Sequence, residues 1–360
     1  MLTDSEYMAR ALAIAERGRG RTSPNPMVGA VVVDPDGVVV GRGSHEFAGG
    51  PHAEVHALRD AGERARGATL YCTLEPCSHV GRTAACAPIV ADAGLSRVVV
   101  AIADPNPLVN GGGLEILRNR GVSVTSGVLD QEARMLNAPF FTVMTRQRPF
   151  ITMKVAMSAD HRIALRPGVR TPLTGPAAAR LIHRDRAEVD AIAVGSGTVL
   201  ADDPSLTARG AYRYRPLVRV VFDSRLRTPS TARLLSTLNA GPVIIVSTQP
   251  IVGLLAERAA PVTAAGAEIL ALPEGSTLHD LLEQLASRGV SSMIVEGGVS
   301  LHRAFWDADL VDRVQIYRTP HVLGADGLEW LPLPLSGLGS VTDRRLGADT
   351  LTEAYVHRTD

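Results

Sequence analysis

Net charge is the first thing this 360-residue chain lacks: 37 basic residues stand against 37 acidic ones. That balance removes the electrostatic case for nucleic acid or a membrane surface as a partner. Long apolar runs are missing too; the longest, residues 28–33 and 97–103, are strand-length and far too short to cross a bilayer. The N-terminal stretch mixes charges among its apolar positions and lacks the basic-then-apolar order of a signal peptide, so a cytoplasmic protein is expected. Cysteine is scarce. The three present all fall between positions 72 and 86, too few and too clustered for a disulfide framework, which leaves metal or thiol chemistry. No Gly-x-Gly-x-x-Gly sequence follows a strand pattern, which excludes a Rossmann-type dinucleotide fingerprint.

What remains is the composition of a globular protein, 45% hydrophobic and 21% charged, in a chain longer than one core usually fills. Two domains are predicted, residues 1–146 and 149–360, divided at a Pro-flanked basic joint. Apolar positions between 2 and 16 have helical spacing and end at a Gly/Pro cluster. Two β-branched runs, residues 27–34 and 37–44, meet at Asp-Pro-Asp-Gly and read as a hairpin. Helix, strand, helix and strand follow over residues 53–103, the alternation of a layered α/β domain. Beyond residue 149 the strand theme restarts and recurs at 189–199, 217–224, 242–248 and 291–298, which makes the whole chain α/β.

The stretch GGPHAEVHALRD carries two histidines four apart with a glutamate between them. Pro51 is favoured where a helix begins, so the helix starts close to His52. On a continuous helix Glu54 would point about 200° away from His52, unlike a metalloprotease, whose glutamate directly follows the first histidine. The better set is His52 with Cys77, which follows Pro76, and Cys86, at the head of the next helix, where N–H groups stabilise a thiolate. One histidine and two thiolates suit zinc and leave a fourth position open to water. Glu54, adjacent but not a ligand, can accept a proton from that water and pass it to a departing nitrogen. His-x-Glu followed by Pro-Cys is the pattern of zinc deaminases, except that eight residues rather than two separate the cysteines here. The competing reading is a closed structural site with His56, His79 or Cys72 as fourth ligand. For His56 packing is the simpler role, and Cys72, in an apolar strand, reads as a buried inert thiol.

PNPMVGAVVV, GSHEFAGGPHAE and TLEPCSHVGRTAAC, in that order, resemble the deaminase half of the bifunctional riboflavin-biosynthesis deaminase/reductases. Residues 153–160, 173–209, 222–224 and 294–305, above all VGSGTVLADDPSLTAR, resemble the reductase half. The resemblance implies a cytidine-deaminase-like three-layer domain followed by a dihydrofolate-reductase-like α/β domain. It implies a diaminopyrimidinone substrate carrying a phosphoribosylamino group, deaminated between the two ring nitrogens and then reduced by NADPH to a ribityl chain. By the same resemblance Asn25 and His45 hold the pyrimidine, although asparagine before Pro26 also suits a plain turn. Arg82 is the candidate for the phosphate. Met157, Thr198, Asp202, Ser224 and the segment Gly298, Val299, Ser300 would contact NADPH. Lys154, Arg186, Leu206, Arg209 and Glu296 would line the sugar phosphate, with Lys154 polarising or protonating the reduced carbon.

Gly195, Gly197, Gly297 and Gly298 fall just past strand patterns, where backbone N–H groups can meet phosphates or merely turn the chain. The family also implies a homo-oligomer formed through the reductase half. Departures are Ala84 and Ala85 for two prolines, His161 for a glycine, Pro172 for a tryptophan, and Arg170 at a substrate-contacting position. They keep a rival open, a zinc deaminase of another base with a divergent reductase-like domain. A catalytically dead zinc-stabilised binding protein is opposed by the intact Glu54.

Overall fold

The computed structural model describes residues 2–79, 84–107, 109–332 and 338–356. Residues up to Gln147 form one compact unit and those from Arg148 a second. In the first, Thr3 caps α1 (Asp4–Ala15) with a capping box to Glu6, which ties down two otherwise unbonded amides. The expected hairpin is present as β1 (Gly29–Val33) and β2 (Val39–Ser44). With β3 (Thr69–Cys72), β4 (Arg97–Val100) and β5 (Ser123–Ser126) it makes a five-stranded sheet in the order β2-β1-β3-β4-β5. Every residue of β1 is buried, because α2 (Ala53–Ala61), together with α1, packs on this sheet. Helix α3 (Cys86–Asp92) packs against α4 (Gly112–Asn119), and α5 (Asp130–Leu136) and α6 (Ala138–Arg146) complete the unit.

Glycine sets the depth of α2. A Cβ on Gly41 would collide with the carbonyl oxygen of Ala57, and one on Gly43 with that of Ala53, so the helix start lies directly on β2.

The second unit is built on β6 (Phe150–Met157), β7 (Arg162–Ala164), α7 (Pro176–Glu188), β8 (Ala191–Gly195), α8 (Ser196–Asp202), β9 (Val218–Phe222) and β10 (Val243–Thr248). It continues with α9 (Gln249–Leu254), α10 (Ala256–Ala264), β11 (Glu268–Leu272), α11 (Leu278–Ser287), β12 (Ser292–Val295) and α12 (Val299–Asp307). Strands β13 (Arg313–Arg318), β14 (Leu328–Glu329), β15 (Gly339–Leu346) and β16 (Asp349–Tyr355) end it. The main sheet has nine strands in the order β11-β10-β9-β8-β12-β6-β13-β16-β15, parallel from β11 to β13 and antiparallel beyond. Ala191 and Ala193 enter one apolar core and Ile192 and Val194 another, so both faces of the central strands are covered. Among the described residues no helix is long and apolar enough to cross a membrane.

Candidate active sites

His52 is the N-cap of α2, immediately before its first turn, in line with a helix that starts close to it. Its Nδ1 lies 3.1 Å from the Sγ of Cys86 and 3.6 Å from that of Cys77. Cys86 is the first residue of α3, and its backbone N–H donates to the Cys77 sulfur at 3.3 Å. The three donor atoms all lie within 4.8 Å of one another. A hydrogen bond from the Cys86 thiol, with His52 adding to it, holds Cys77 down at about 4, while Cys86 is pushed up. One proton of the pair is therefore shed readily, and a bound cation favours loss of the second. A soft, partly anionic three-donor pocket fits zinc.

Among the described residues no fourth ligand joins this group. His56, His79 and Cys72 all lie outside it, and Cys72 is fully buried with its thiol raised well above the ordinary range by burial. The closed structural site finds no support.

Glu54, in the first turn of α2, is buried, and its Oε2 has no hydrogen-bond partner among the described residues. Burial, only partly opposed by His52, pushes its carboxyl up to about 7. A carboxyl in that range both accepts and returns a proton near neutrality.

Beside this centre the amide nitrogen of Asn25 lies 3.1 Å from Nε2 of His45, and Nδ1 of His45 lies 3.1 Å from the Pro51 carbonyl oxygen. His45 thus donates from Nδ1 and accepts at Nε2 as a neutral imidazole, in keeping with a pKa lowered by burial. The His45 and His52 rings meet edge to face at 5.3 Å. Arg82 lies outside the described residues.

Glu75 escaped the sequence reading. Its buried carboxylate accepts the backbone N–H groups of Asp104 (3.1 Å), Gly111 (3.0 Å), Gly113 (2.9 Å) and Leu114 (3.2 Å). It therefore ties the Pro76–Cys77 segment to the loop before α4 and to the start of that helix. The available signal was a glutamate immediately before Pro-Cys, a residue type that rarely sits in an apolar segment without partners.

In the second unit a cavity of about 830 Å³ opens past the carboxyl ends of β8, β9 and β12 and along β6, as expected for a parallel sheet. Lys154, Arg186, Leu206 and Glu296 line it, and so do Thr198, Asp202, Ser224, Gly298, Val299 and Ser300. Two expected residues do not. Met157 is buried in the apolar core beneath the sheet, and Arg209 turns its guanidinium toward Nε2 of His183 at 3.1 Å. Gly197 lies inside α8 rather than past the strand, while Gly195 and Gly298 are the N-caps of α8 and α12.

Lys154 sits in the middle of β6, not at a solvated strand end. Arg186 grips Glu296 through two bonds, Nε–Oε1 at 2.8 Å and Nη2–Oε2 at 2.7 Å, while Nζ of Lys154 stands 3.6 Å from Oε2. Burial would raise Glu296, but Arg186 and Lys154 together drive it down to about 2. Burial lowers Lys154, Glu296 offsets part of that, and Arg186 adds to it. Lys154 is also the only lysine in the chain; every other basic residue is arginine. That compositional signal alone singles the position out.

Two further groups were not read from sequence. Arg227 lines the cavity and donates to the Ser196 hydroxyl at 2.9 Å, three residues after Ser224. His302, fully buried on α12, accepts the Trp330 indole N–H at Nδ1 (2.9 Å), which leaves Nε2–H facing the Val295 carbonyl at 3.2 Å. Trp330 also bonds through its backbone N–H to the carbonyl of His161, which occupies the left-handed region at φ 62°. Arg170 is exposed and near enough to Asp202 to oppose the rise that burial gives that carboxyl, and Pro172 is exposed.

Two family models match the chain. The cytidine and deoxycytidylate deaminase zinc-binding region covers residues 1–102, and the RibD C-terminal domain covers residues 149–335. Riboflavin biosynthesis protein RibD of Aquifex aeolicus is 41% identical over 321 residues, 89% of this chain and 88% of that one. The Escherichia coli RibD is 41% identical over 357 residues, 95% and 94% of the two chains. Among solved structures, Acinetobacter baumannii RibD superposes with a TM-score of 0.86 at 35% identity, over 98% of this chain and 99% of that one. A diaminohydroxyphosphoribosylaminopyrimidine deaminase/5-amino-6-(5-phosphoribosylamino)uracil reductase from Thermotoga maritima gives 0.82 at 32% identity, with the same coverage.

Proposed function

The chain belongs to the RibD family of bifunctional riboflavin-biosynthesis deaminase/reductases, and from that premise we propose which of its side chains carry each step. Its substrate is 2,5-diamino-6-(5-phosphoribosylamino)pyrimidin-4-one; deamination in residues 1–146 precedes reduction of the ribosyl chain to ribityl in residues 149–360. His52, Cys77 and Cys86 would hold zinc, which when bound would supply a Lewis acid for hydrolysis at the ring carbon between the two nitrogens. Asn25 and His45 hold the ring, and Arg82 takes the phosphate. Glu54 accepts the proton of the attacking water and returns it to the amino group, which leaves as ammonia.

NADPH supplies the hydride for the second step. Thr198, Asp202, Ser224 and the Gly298–Ser300 segment, which line the cavity, would hold it, and Arg227, also in the lining, would offer a cation to its phosphates. Arg186 and Lys154 face the sugar phosphate across Glu296. Lys154, as an ammonium, would give one proton to the open-chain imine or carbonyl, which together with the hydride accounts for the two hydrogens gained. Met157 and Arg209 belong to this set only through the family resemblance. We place the enzyme in the cytoplasm as a homo-oligomer joined through its reductase half.

The observation that carries the reading is Glu54, a buried carboxyl with a free oxygen beside three converging metal donors. Glu54→Gln should keep its zinc and still oxidise NADPH when given the deaminated pyrimidine, with a mass gain of two hydrogens. Ammonia release should fall by roughly 10²–10⁴-fold. Ammonia release at the parent rate would remove Glu54 from its role, and an idle reductase on the same preparation would sink the two-step reading.

A further inference from the structure

A basic chain position that needs only charge is served by arginine, and this chain uses arginine everywhere but residue 154. Arginine does not give up its proton in proteins, whereas lysine does when its surroundings allow. Lys154 therefore has to keep a removable proton until it is called for, in surroundings that oppose it. Its side chain is 13% exposed, and the cation of Arg186 stands nearby. The counter-ion is shared: both oxygens of Glu296 bond Arg186 at 2.8 Å and 2.7 Å, and Oε2 also pairs with the Lys154 ammonium at the longer distance of 3.6 Å.

A second contact is aromatic. On the neighbouring strand β13, the Tyr317 ring lies with its centroid 5.6 Å from the Lys154 Nζ, inside the range in which a ring face attracts an ammonium. Tyr317 is fully buried, and its hydroxyl donates to Oδ2 of Asp185 at 3.3 Å. The same carboxylate oxygen accepts Gln315 Nε2 at 3.3 Å, and that amide also reaches Oε1 of Glu353 at 3.0 Å. Asp185 and Arg186 are consecutive on α7. One helix therefore fixes Tyr317 through the first residue and Glu296 through the second.

We propose that Tyr317, oriented by Asp185, is a positioning residue for the reductase: its ring face is the floor that keeps the Lys154 amine charged and turned toward the cavity. The proposal rests on the reading of Lys154 as proton donor. A phenol that donates to a carboxylate has a more electron-rich ring, so Asp185 strengthens the floor as well as orienting it. The charged and titratable groups around Lys154 are Glu296 after β12, Asp185 and Arg186 on α7, Tyr317 on β13, Glu353 on β16 and His302 on α12. Of these His302 is held neutral by burial, with a pKa of about 4, and adds no charge at neutral pH.

Because Lys154 is the only ε-amine, its titration can be read directly from the pH dependence of acylation, with peptide mass mapping to separate the N-terminal amine. Tyr317→Leu should lower the amine pKa by about half a unit to one unit and move the basic limb of the reductase rate by the same amount. Tyr317→Phe, which keeps the ring, should restore most of it, and Asp185→Asn should show a smaller shift in the same direction. NADPH affinity, measured by quenching of Trp fluorescence, checks that each variant is folded. An unshifted amine in folded Tyr317→Leu would overturn the proposal; if that variant does not fold, an unshifted amine in Asp185→Asn does so. Full turnover in Lys154→Met would instead overturn the donor reading beneath it, and the amine titration tells the two failures apart.

Discussion

His302 has both ring nitrogens committed, one to Trp330 and one to the Val295 carbonyl, and no exposure to water. Burial holds its pKa at about 4, below the ordinary 6.5. Between those values the unfolded chain binds more protons than the folded one, so stability is fully present above the unfolded value and declines as pH falls toward about 4. The loss amounts to about 3 kcal/mol. It should appear as a falling urea midpoint between pH 7 and pH 4.5, followed by Trp fluorescence, and His302→Gln should flatten that slope. An unchanged slope in the variant would assign the effect to other groups. Histidine 302 was invisible in sequence because its partner Trp330 lies 28 positions away. His52, Glu54, Cys77 and Cys86 were legible for the opposite reason: few residue types hold zinc, and Pro51 fixed the helix start locally. The left-handed His161 was signalled only by the glycine expected there.

At the level of elements, strands and helices followed from apolar period and punctuation, and the hairpin of β1 and β2 and the helix head at Cys86 were found where expected. Sheet order was not legible, since pairing such as β12 beside β6 and β8 joins segments far apart in sequence, as Ser292 is from Phe150 and Met293 from Ala191. The same limit hid Glu75, whose four amide partners lie 29 to 39 residues onward. Those bonds place the loop that carries Cys77 against α4. Glu75→Gln replaces two acceptor oxygens by one acceptor and one donor, which faces N–H groups that are themselves donors. Zinc affinity, measured by chelator competition, should weaken by about 10- to 100-fold. Parent-like affinity would show that the ligand loop is held by other means.

On the scale of the molecule each unit has its own apolar core, one drawn from residues up to Phe141 and the others from Ile151 onward. Composition and the basic joint near residue 147 made that division readable, while the cavity, assembled from segments between residues 154 and 328, was not. Zinc bound only to the first unit stabilises only that unit. Chelation should lower its calorimetric transition by about 10 °C and leave the transition of the second unit in place. A joint shift of both would mean that the two unfold as one.

Lys154, Arg186 and Glu296 sum to a single positive charge, each of the three side chains no more than 13% exposed. Within this trio the surplus cation is withdrawn from water, so an anion bound beside it gains more than it would in solution. A sugar without its phosphate would fill the same space and leave the cation unanswered. If the cavity holds the sugar phosphate as proposed, the neutral analogue should bind more weakly for want of that charge, with no clash needed to exclude it.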